Sequence, residues 1–462
     1  MNKIALMIAG VTSGSGKTTI TQGILALLVK NNYRVQSFKL GPDYIDSGYH
    51  SAITGKPCVN LDKFLLSPDD CKDAVKVIKD HFYSYSTDAE ALVIEAVGGI
   101  FDDWYHDGNN PAQIALDLGV NVILVADGFS YCQTLGIMLN PIFEYKKELN
   151  ISGLIINKVS SQEHYSRIIE TLSEKHKRKA IGYISGSEDL FINERHLGLM
   201  TAPELKHRSS KIPRLAEIFS KSIDLEKLIS NTIEIPSKFT YKTSSSSIKK
   251  CRIAVAKDKA FSFYYAYNLS FLEELGAELV HFSTLSDFHL PENISGIYLG
   301  GGFPEVYASE LNSNCNILNE IKNNADNGMP IYAECGGLIY LGKSINKYKT
   351  DKSYSSVEIF DIEASFTGKL VLSYVTGKLD NNCLIGDVDD KIKGHIFHRT
   401  NIEELSSVPK STTLKILSND IEIKEGYSYK NVYASYLHLH FLSCPKVAQN
   451  LILKAIQYKN CR

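Results

Sequence analysis

A glycine-rich segment near the start of the chain has the make-up of a phosphate-binding loop. It joins the apolar run 4–9, which has the length of a buried strand, to the helical-looking stretch 20–28. The backbone N–H groups of such a loop and the N-terminus of the following helix form a concave positive site. Lys17 can reach the outer phosphates of a nucleotide, and the Thr18 hydroxyl can ligate Mg²⁺. We therefore predict binding and hydrolysis of ATP. The predicted ATP-binding residues of the loop are Gly10, Ser13, Gly14, Ser15, Gly16, Lys17, Thr18 and Thr19.

The spacing of this loop departs from the plain G-x-x-x-x-G-K-T pattern. Val11 stands where the first glycine is expected, and Gly10 lies one residue earlier. Partition-type ATPases carry an early signature lysine in this variant, but Thr12 occupies that place. This disfavours a segregation or positioning ATPase. A plain glycine-rich turn before an ordinary helix is the alternative to a nucleotide site.

A cysteine in the second half of the chain has the surroundings of a nucleophile. Cys335 lies between the apolar run 330–333 and the pair Gly336 and Gly337, where a helix begins. A sharp turn from strand to helix exposes the sulfur, and the helix N-terminus favours the thiolate. A cysteine nucleophile also needs a base, and His438 follows about a hundred residues downstream. Taken alone, Cys335 could equally be an ordinary buried residue.

Glycines after another predicted strand could complete the site. Gly301 and Gly302 follow the run 296–299, and their N–H groups, together with that of Gly336, could stabilise an oxyanion. The order of a strand with three glycines, a strand with Cys-Gly-Gly and a late strand ending in His resembles the class I glutamine amidotransferase domain. The resemblance implies that the cysteine attacks the side-chain amide of glutamine, so that a thioester forms and ammonia is released.

The residue two places after the histidine departs from that family. A glutamate is usual there as the third member of a triad, but this chain has His440. The departure leaves open which group orients the base. In this respect the chain is similar to the cobyric and cobyrinic acid synthase branch of the family, in which the catalytic pair is a dyad. This resemblance implies Cys335 as nucleophile and His438 as base.

The bulk composition narrows the class of protein. With 462 residues and 44% hydrophobic content, the chain is long enough for roughly two to four domains of about 150 residues each. Its 50 basic and 52 acidic residues give a formal charge of -2, so we expect small-molecule partners and no nucleic acid. The nine cysteines lack the paired spacing of a zinc site or a disulfide framework. Without a leader or an apolar run near about 18 residues, we expect a cytoplasmic protein without a membrane partner.

The strands and helices that must position these residues fall into two series. Short apolar strands alternate with helical stretches over residues 1–225, the pattern breaks at a polar linker, 226–250, and a second series occupies 251–462. We predict an α/β protein of two domains, each a mainly parallel sheet wrapped by helices. Ligands in such folds bind at the carboxyl ends of the strands, where Lys39 and Glu95 lie.

The whole chain resembles the cobyrinate a,c-diamide synthase family. That family joins an ATPase domain related to dethiobiotin synthetase, a P-loop NTPase, to a flavodoxin-like class I glutaminase domain. The resemblance is carried by the stretches 9–19, 38–46, 194–199, 261–265, 298–305, 333–337, 394–398 and 434–441.

The resemblance implies a ligase that uses ATP and glutamine to amidate the a and c acetate carboxylates of cobyrinate in cobalamin synthesis. A carboxylate has no good leaving group, so ATP converts it to an acyl phosphate that ammonia displaces. Lys17, Lys39 and Mg²⁺ would neutralise the charge during phosphoryl transfer. The implied metal ligands are Thr18, Asp43, Asp46 and Glu95. The implied substrate-binding residues are Asp43, Tyr44, Asp46 and Asp102.

Some features leave alternatives open. The segment 95–103 keeps the acidic residues of the family but has Ala96 and Asp103 where glycines are usual, and 104–112 departs further. We expect 104–112, with Trp104, to contact the tetrapyrrole. The same chemistry on hydrogenobyrinate or nickel sirohydrochlorin, or a nucleotide-binding scaffold with an inactive amidotransferase domain, remains an alternative. A homodimer is also left open.

Overall fold

The protein is described by a computed structural model that covers residues 2–69, 71–103, 109–186, 194–195, 198–199, 211–234, 250–348, 350 and 352–461. Parts of two stretches discussed above lie outside the described residues. These parts are 104–108, which contains Trp104, and 243–249 of the serine-rich linker. The chain divides into two compact units, Met1–Lys63 with Asp73–Tyr241, and Phe64–Lys72 with Lys242–Arg462.

The first unit is built on a parallel sheet with helices between its strands. Its strands are β1 (Asn2–Gly10), β2 (Val35–Leu40), β3 (Val59–Leu61), β4 (Ala91–Gly99), β5 (Asn121–Asp127), β6 (Ile151–Val159), β7 (Ala180–Ser185), β8 (Glu194–Arg195), β9 (Gly198–Leu199) and β10 (Thr232–Glu234). The helices along this part of the chain are α1 (Lys17–Lys30), α2 (Ile45–Thr54), α3 (Lys63–Leu66), α4 (Ala74–Ser84), α5 (Pro111–Leu118), α6 (Gln133–Glu144), α7 (Gln162–Glu170), α8 (Glu174–Lys177), α9 (Lys211–Ser222) and α10 (Leu225–Ile229).

The strand order of the first sheet puts the phosphate loop at its centre. The order is β3-β2-β4-β1-β5-β6-β7, every neighbouring pair is parallel, and β10 adds antiparallel to β1. Because β1 has neighbours on both sides and is covered on both faces, it is a continuous apolar run rather than an alternating one. Helix α1 packs closely on α9: a Cβ on Gly23 would lie 2.1 Å from the ring of Phe219.

The second unit has a mixed sheet. Its strands are β11 (Cys251–Ala256), β12 (Phe261–Phe263), β13 (Ala277–Phe282), β14 (Gly296–Leu299), β15 (Gly301–Gly302), β16 (Ile331–Glu334), β17 (Ser344–Asn346), β18 (Ser353–Ser355), β19 (Ile362–Leu379), β20 (Lys391–Glu404), β21 (Lys410–Ile416), β22 (Ile421–Tyr429), β23 (Val432–Ser435) and β24 (Leu437–Leu439). Its helices are α11 (Ala266–Glu274), α12 (Ala308–Ser313), α13 (Cys315–Asp326), α14 (Gly336–Leu341) and α15 (Pro445–Asn460).

Only part of the second sheet is parallel. The parallel part runs β13-β11-β14-β16-β23, and beyond it β22, β21, β19 and β20 continue as antiparallel strands. Strand β24 pairs antiparallel with β20. The two-unit α/β class is confirmed, whereas the antiparallel half of this sheet was not predicted. Its strands are half-exposed, so they lack the continuous apolar runs on which the prediction rested.

Two observations bear on the predicted boundary at 225 and on the predicted linker over 226–250. The first unit continues beyond residue 225, because Asn2 pairs with Glu234 in the sheet. The second unit also includes 64–72 from the first half of the chain.

Side-chain contacts explain why 64–72 belongs to the second unit. The Phe64 ring lies 4.8 Å from the Tyr374 ring. Lys393 places its ammonium 5.0 Å from the centre of the Phe64 ring and 3.4 Å from an Asp69 oxygen.

Among the described residues, no helix is long and apolar enough to cross a membrane.

Candidate active sites

The phosphate loop leads from β1 into α1 and is supported from β6. Gly16 has a φ of 87°, in the left-handed region where glycine carries no steric cost. A Cβ there would lie 2.0 Å from the side-chain nitrogen of Asn157, and that nitrogen donates to the Ser15 carbonyl at 3.1 Å. Gly16 therefore allows the loop to lie directly against the carboxyl end of β6.

The predicted loop residues occupy distinct places around this turn. Gly10 ends β1, and Ser13 and Gly14 are exposed. Ser15 is buried, and Thr19 is half-buried.

Lys17 is the first residue of α1 and folds back over the loop. Its ammonium donates to the Thr12 carbonyl at 3.3 Å. Burial lowers the pKa of Lys17, and the nearby charge of Lys39 lowers it further. Two lysines whose charges repel each other indicate a site that binds an anionic ligand.

Beneath the loop, Lys39 is enclosed by carboxylates. Its ammonium lies 2.6 Å from an Asp46 oxygen, 2.7 Å from a Glu95 oxygen and 3.8 Å from an Asp43 oxygen. The Thr18 hydroxyl lies 2.7 Å from the same Glu95 oxygen and 3.3 Å from Asp46. The structure thus brings together all four residues that the resemblance implied as metal ligands, together with Lys39.

The charges in this cluster act on one another strongly because water is excluded. Burial raises the pKa of Asp46, and the neighbouring Glu95 charge raises it further. Burial opposes the ionised form of Lys39, but the charges of Asp46 and Glu95 outweigh it and raise the pKa of Lys39. Burial also opposes the ionised form of Glu95, but Lys39 and the hydrogen bond from His50 outweigh it and lower the pKa of Glu95. The raised pKa of Asp46 shows that Lys39 does not fully compensate its carboxylate, and a cation bound beside Asp46 would favour the ionised form.

His50 belongs to this cluster but was not predicted from the sequence. Its Nε2 lies 2.6 Å from Glu95 Oε2, and both side chains are fully buried. The available signal was helical spacing: Asp46 and His50 lie four residues apart on α2, hence on one face.

The remaining predicted substrate residues lie at the edges of the cluster. Asp43 accepts from the Asp46 N–H at 2.9 Å, Tyr44 directly precedes α2, and Asp102 accepts from the Gly99 N–H at 2.7 Å. The predicted contribution of 104–108 concerns residues outside the described ones.

The side chains beneath the phosphate loop could supply part of a Mg²⁺ site. Among the described residues, no group of three or more His, Cys, Asp or Glu is arranged to hold a metal alone. Mg²⁺ is usually held by one or two carboxylates, waters and the phosphates of the substrate rather than by a complete protein cage. The hydroxyl of Thr18 and the carboxylates of Glu95 and Asp46 fit that pattern.

In the second unit, Cys335 forms a sharp turn between β16 and α14. Its φ of 47° and ψ of -96° are unusual for a residue with a side chain. The Cys335 N–H donates to the Ser435 carbonyl of the adjacent strand at 2.7 Å. The thiol lies 3.6 Å from the Phe397 carbonyl of β20. These contacts hold the sulfur beside the carboxyl ends of β16 and β23.

His438 is brought to the same place by sheet pairing. It lies on β24 opposite His395 of β20, and the two rings stack with centroids 4.9 Å apart. A Cβ on Gly301 would lie 2.6 Å from the Cε1 atom of His438, and one on Gly336 would lie 2.9 Å from the Gly302 nitrogen. The structure thus places the predicted oxyanion glycines next to the predicted base and nucleophile.

Burial favours the thiol form of Cys335 over the thiolate. Burial raises the pKa of Cys335, and the charge of Glu305 raises it further. Burial also raises the pKa of Glu305 to about 7. A base is therefore needed to take the thiol proton, since the helix N-terminus alone does not produce a resting thiolate.

Burial favours the neutral forms of two histidines on β20, His395 and His398. Burial and the proximity of His438 lower the pKa of His395, and burial lowers that of His398 to about 4. The His440 ring stacks on Tyr267 with centroids 5.2 Å apart, and its Nδ1 accepts from the Leu442 N–H at 3.3 Å. His440 therefore does not take the role of the usual triad glutamate.

Comparison with known proteins gives a consistent result for both halves. Residues 6–199 match the "CobQ/CobB/MinD/ParA nucleotide binding domain" family, and residues 252–446 match the "CobB/CobQ-like glutamine amidotransferase domain" family. Three curated relatives are named "Cobyrinate a,c-diamide synthase". The protein from Caldanaerobacter subterraneus subsp. tengcongensis is 38% identical and covers 94% of both chains. The protein from Listeria innocua is 36% identical over 98% of this chain and 99% of its own, and that from Dehalococcoides mccartyi is 35% identical over 98% of each.

A phosphate-loop unit and a cysteine-histidine unit in one chain define a glutamine-dependent, amide-forming ligase. Within that class, this chain belongs to the cobyrinate a,c-diamide synthase family.

Proposed function

We propose that the protein amidates the a and c acetate carboxylates of cobyrinate in cobalamin biosynthesis, with glutamine as nitrogen donor and ATP as activator. The observation that carries the proposal is the presence of two complete constellations in one chain. Lys17, Thr18, Lys39 and Glu95 lie at the phosphate loop. In the second unit, Gly301 lies against His438, and Gly302 lies against Gly336, the residue that follows Cys335. The names of the relatives identify the acceptor.

In the first step, a carboxylate oxygen of the acceptor attacks the γ-phosphorus of ATP, the bond to the β-phosphate oxygen breaks, and ADP leaves. Lys17 and Lys39 hold the developing negative charge. Thr18, Glu95 and Asp46 would hold Mg²⁺, which would supply positive charge to neutralise the phosphates. Asp43, Tyr44 and Asp102 are proposed to face the acceptor.

In the second unit, His438 takes the Cys335 proton while the sulfur bonds to the amide carbon of glutamine. The N–H groups of Gly301, Gly302 and Gly336 stabilise the oxyanion. The proton passes to the leaving nitrogen, ammonia departs, and water hydrolyses the thioester to glutamate. Ammonia then displaces phosphate from the acyl phosphate, giving the amide.

Mass spectrometry tests the acceptor directly. The enzyme is incubated with ATP, Mg²⁺ and glutamine whose side-chain amide carries heavy nitrogen, and separately with cobyrinate, hydrogenobyrinate or nickel sirohydrochlorin. We expect heavy nitrogen at two carboxylates of cobyrinate, with ADP formed in step. Preferred conversion of hydrogenobyrinate or nickel sirohydrochlorin over cobyrinate would contradict the proposal. So would a failure to convert any of the three.

Two further expectations accompany this function. We expect the protein to act in the cytoplasm, where ATP and glutamine are supplied. A homodimer stays a prediction, and light scattering of the purified protein measures it.

A further inference from the structure

Glu334 is a buried carboxylate that directly precedes the nucleophile and faces the base. Its Oε2 lies 3.5 Å from Nδ1 of His438, and each side chain is only 1% exposed. We propose that Glu334 is the positioning residue of the glutaminase site, orienting His438 for proton transfer. The inference rests on the glutaminase half of the proposed function and adds to it the group that sets the tautomer of the base.

The Glu334 carboxylate is itself held in place by three donors. Oε1 accepts from the Tyr332 hydroxyl at 2.6 Å and from the Leu439 N–H at 3.3 Å. Oε2 accepts from the Tyr298 hydroxyl at 3.3 Å. Because Leu439 follows His438 on β24, one of these bonds fixes the backbone of the base relative to the carboxylate.

The residue at the usual place of an orienting glutamate serves elsewhere. His440 stacks on Tyr267, and its Nδ1 accepts from the Leu442 backbone. Within the described residues, Glu334 is the carboxylate found as an ion-pair partner of His438. The carboxylate thus comes from the strand that carries the nucleophile rather than from the strand that carries the base.

The chemistry requires one particular tautomer of His438. A hydrogen on Nδ1 directed at Glu334 leaves the Nε2 lone pair for the Cys335 thiol proton. The imidazolium that forms is stabilised by the carboxylate, and Nε2 returns the proton to the departing ammonia. The proton taken from Cys335 leaves with ammonia, so no proton is left over in this half of the cycle.

Glu334→Gln tests this role because the amide can fit in one main orientation. Oε1 accepts a backbone N–H, which cannot reverse its polarity, so the amide oxygen must occupy that side. The NH₂ group then faces Nδ1 of His438, donates to it and favours the unproductive tautomer. We expect the kcat of glutamine hydrolysis to fall by about 10²-fold or more, with KM for glutamine changed less than about twofold. Amidation driven by ammonium salt should be retained.

A double-mutant cycle separates positioning from general support of the fold. In the His438→Ala background, measured in single turnovers, Glu334→Gln should cost less than about twofold, because the group through which it acts is gone. Glu425→Gln is the matched control: Glu425 is also a buried glutamate of this unit, bonded to Ser435 and Tyr436. We expect it to keep the kcat of the parent within about threefold.

The possible outcomes distinguish the positioning role of Glu334 from the proposed glutaminase function on which it rests. A parent protein that hydrolyses no glutamine would contradict the glutaminase function itself. An active parent whose kcat survives Glu334→Gln, or whose loss is equally large in the His438→Ala background, would overturn only the positioning role.

Discussion

At the scale of single residues, Lys39 balances the charge beneath the phosphate loop. Its ammonium contacts Asp46 and Glu95 in a site without solvent. Lys39→Met removes one partner and leaves buried carboxylates uncompensated, a change that costs about 3–5 kcal/mol in folded proteins. We expect a loss of this size in the free energy of unfolding, measured by urea titration with circular dichroism.

Lys221→Met provides the matched control for that loss. Lys221 pairs with Glu217 on the exposed side of α9, where water screens the pair and its contribution to stability is small. Equal effects of the two substitutions would contradict the charge-balancing role of Lys39.

The buried carboxyl of Glu425 should make the stability of the second unit depend on pH. Burial raises its pKa from 4.5 to about 7. The folded state therefore keeps a proton that the unfolded state has already lost over this range. The resulting stabilisation is complete below about pH 4.5 and is lost as the pH rises through about 7, a change on the order of 3 kcal/mol.

Glu425→Gln removes the titrating group and should remove this contribution. Unfolding curves of the parent and the variant at about pH 5 and about pH 8 measure it. The parent should lose about 3 kcal/mol more than the variant over that interval. Parallel pH profiles would show that burial of Glu425 does not control its ionisation.

The sequence alone was sufficient to predict those site residues whose role follows from a local motif. Lys17, Cys335 and the oxyanion glycines each lie where a strand turns into a loop or helix, so their neighbours along the chain indicate their surroundings. His50 and Glu334 could not be placed in this way, because they act through contacts with β4 and β24. The available signals were the helical spacing from Asp46 for His50 and, for Glu334, an acidic residue at the end of an apolar strand.

At the scale of elements, the turn from β16 to α14 stores backbone strain at the nucleophile. Cys335 adopts a φ of 47°, which costs a residue with a Cβ about 1–3 kcal/mol and a glycine much less. Cys335→Gly should therefore be more stable than Cys335→Ala by about 1 kcal/mol, after the greater entropy of glycine in the unfolded chain is allowed for. Thermal or urea unfolding measures the difference.

Both substitutions remove the thiol, so both should abolish glutamine hydrolysis. An alanine variant as stable as the glycine variant would mean that the turn is relaxed, and that exposure of the sulfur requires no strain.

The parallel strands were predictable as elements and the antiparallel ones were not. A strand covered on both faces, such as β1 or β14, is a short continuous apolar run. The hairpin of β19 and β20 mixes buried and exposed residues over long stretches, and its register is set by pairing with other strands. That pairing nevertheless matters for the site, because β20 holds His395 against His438 and Phe397 beside Cys335.

At the scale of the whole molecule, the two units are not two uninterrupted pieces of chain. The segment 64–72 is enclosed by the sequence of the first unit but packs with the second. Composition predicts a polar linker because a serine run is a local feature. The placement of 64–72 depends instead on contacts of Phe64 and Asp69 with residues some three hundred positions away. A boundary drawn from composition alone therefore could not include it.

The central claim is that nitrogen released at Cys335 is used at a carboxylate activated beside Lys17. The most direct measurement compares amide formation on cobyrinate from glutamine and from ammonium salt, in Cys335→Ser and Lys17→Ala. Cys335→Ser should lose amidation from glutamine and keep amidation from ammonium, since its phosphate site is intact. Lys17→Ala should lose both. Loss of ammonium-driven product in Cys335→Ser, or amide formation by Lys17→Ala with either donor, would contradict the claim.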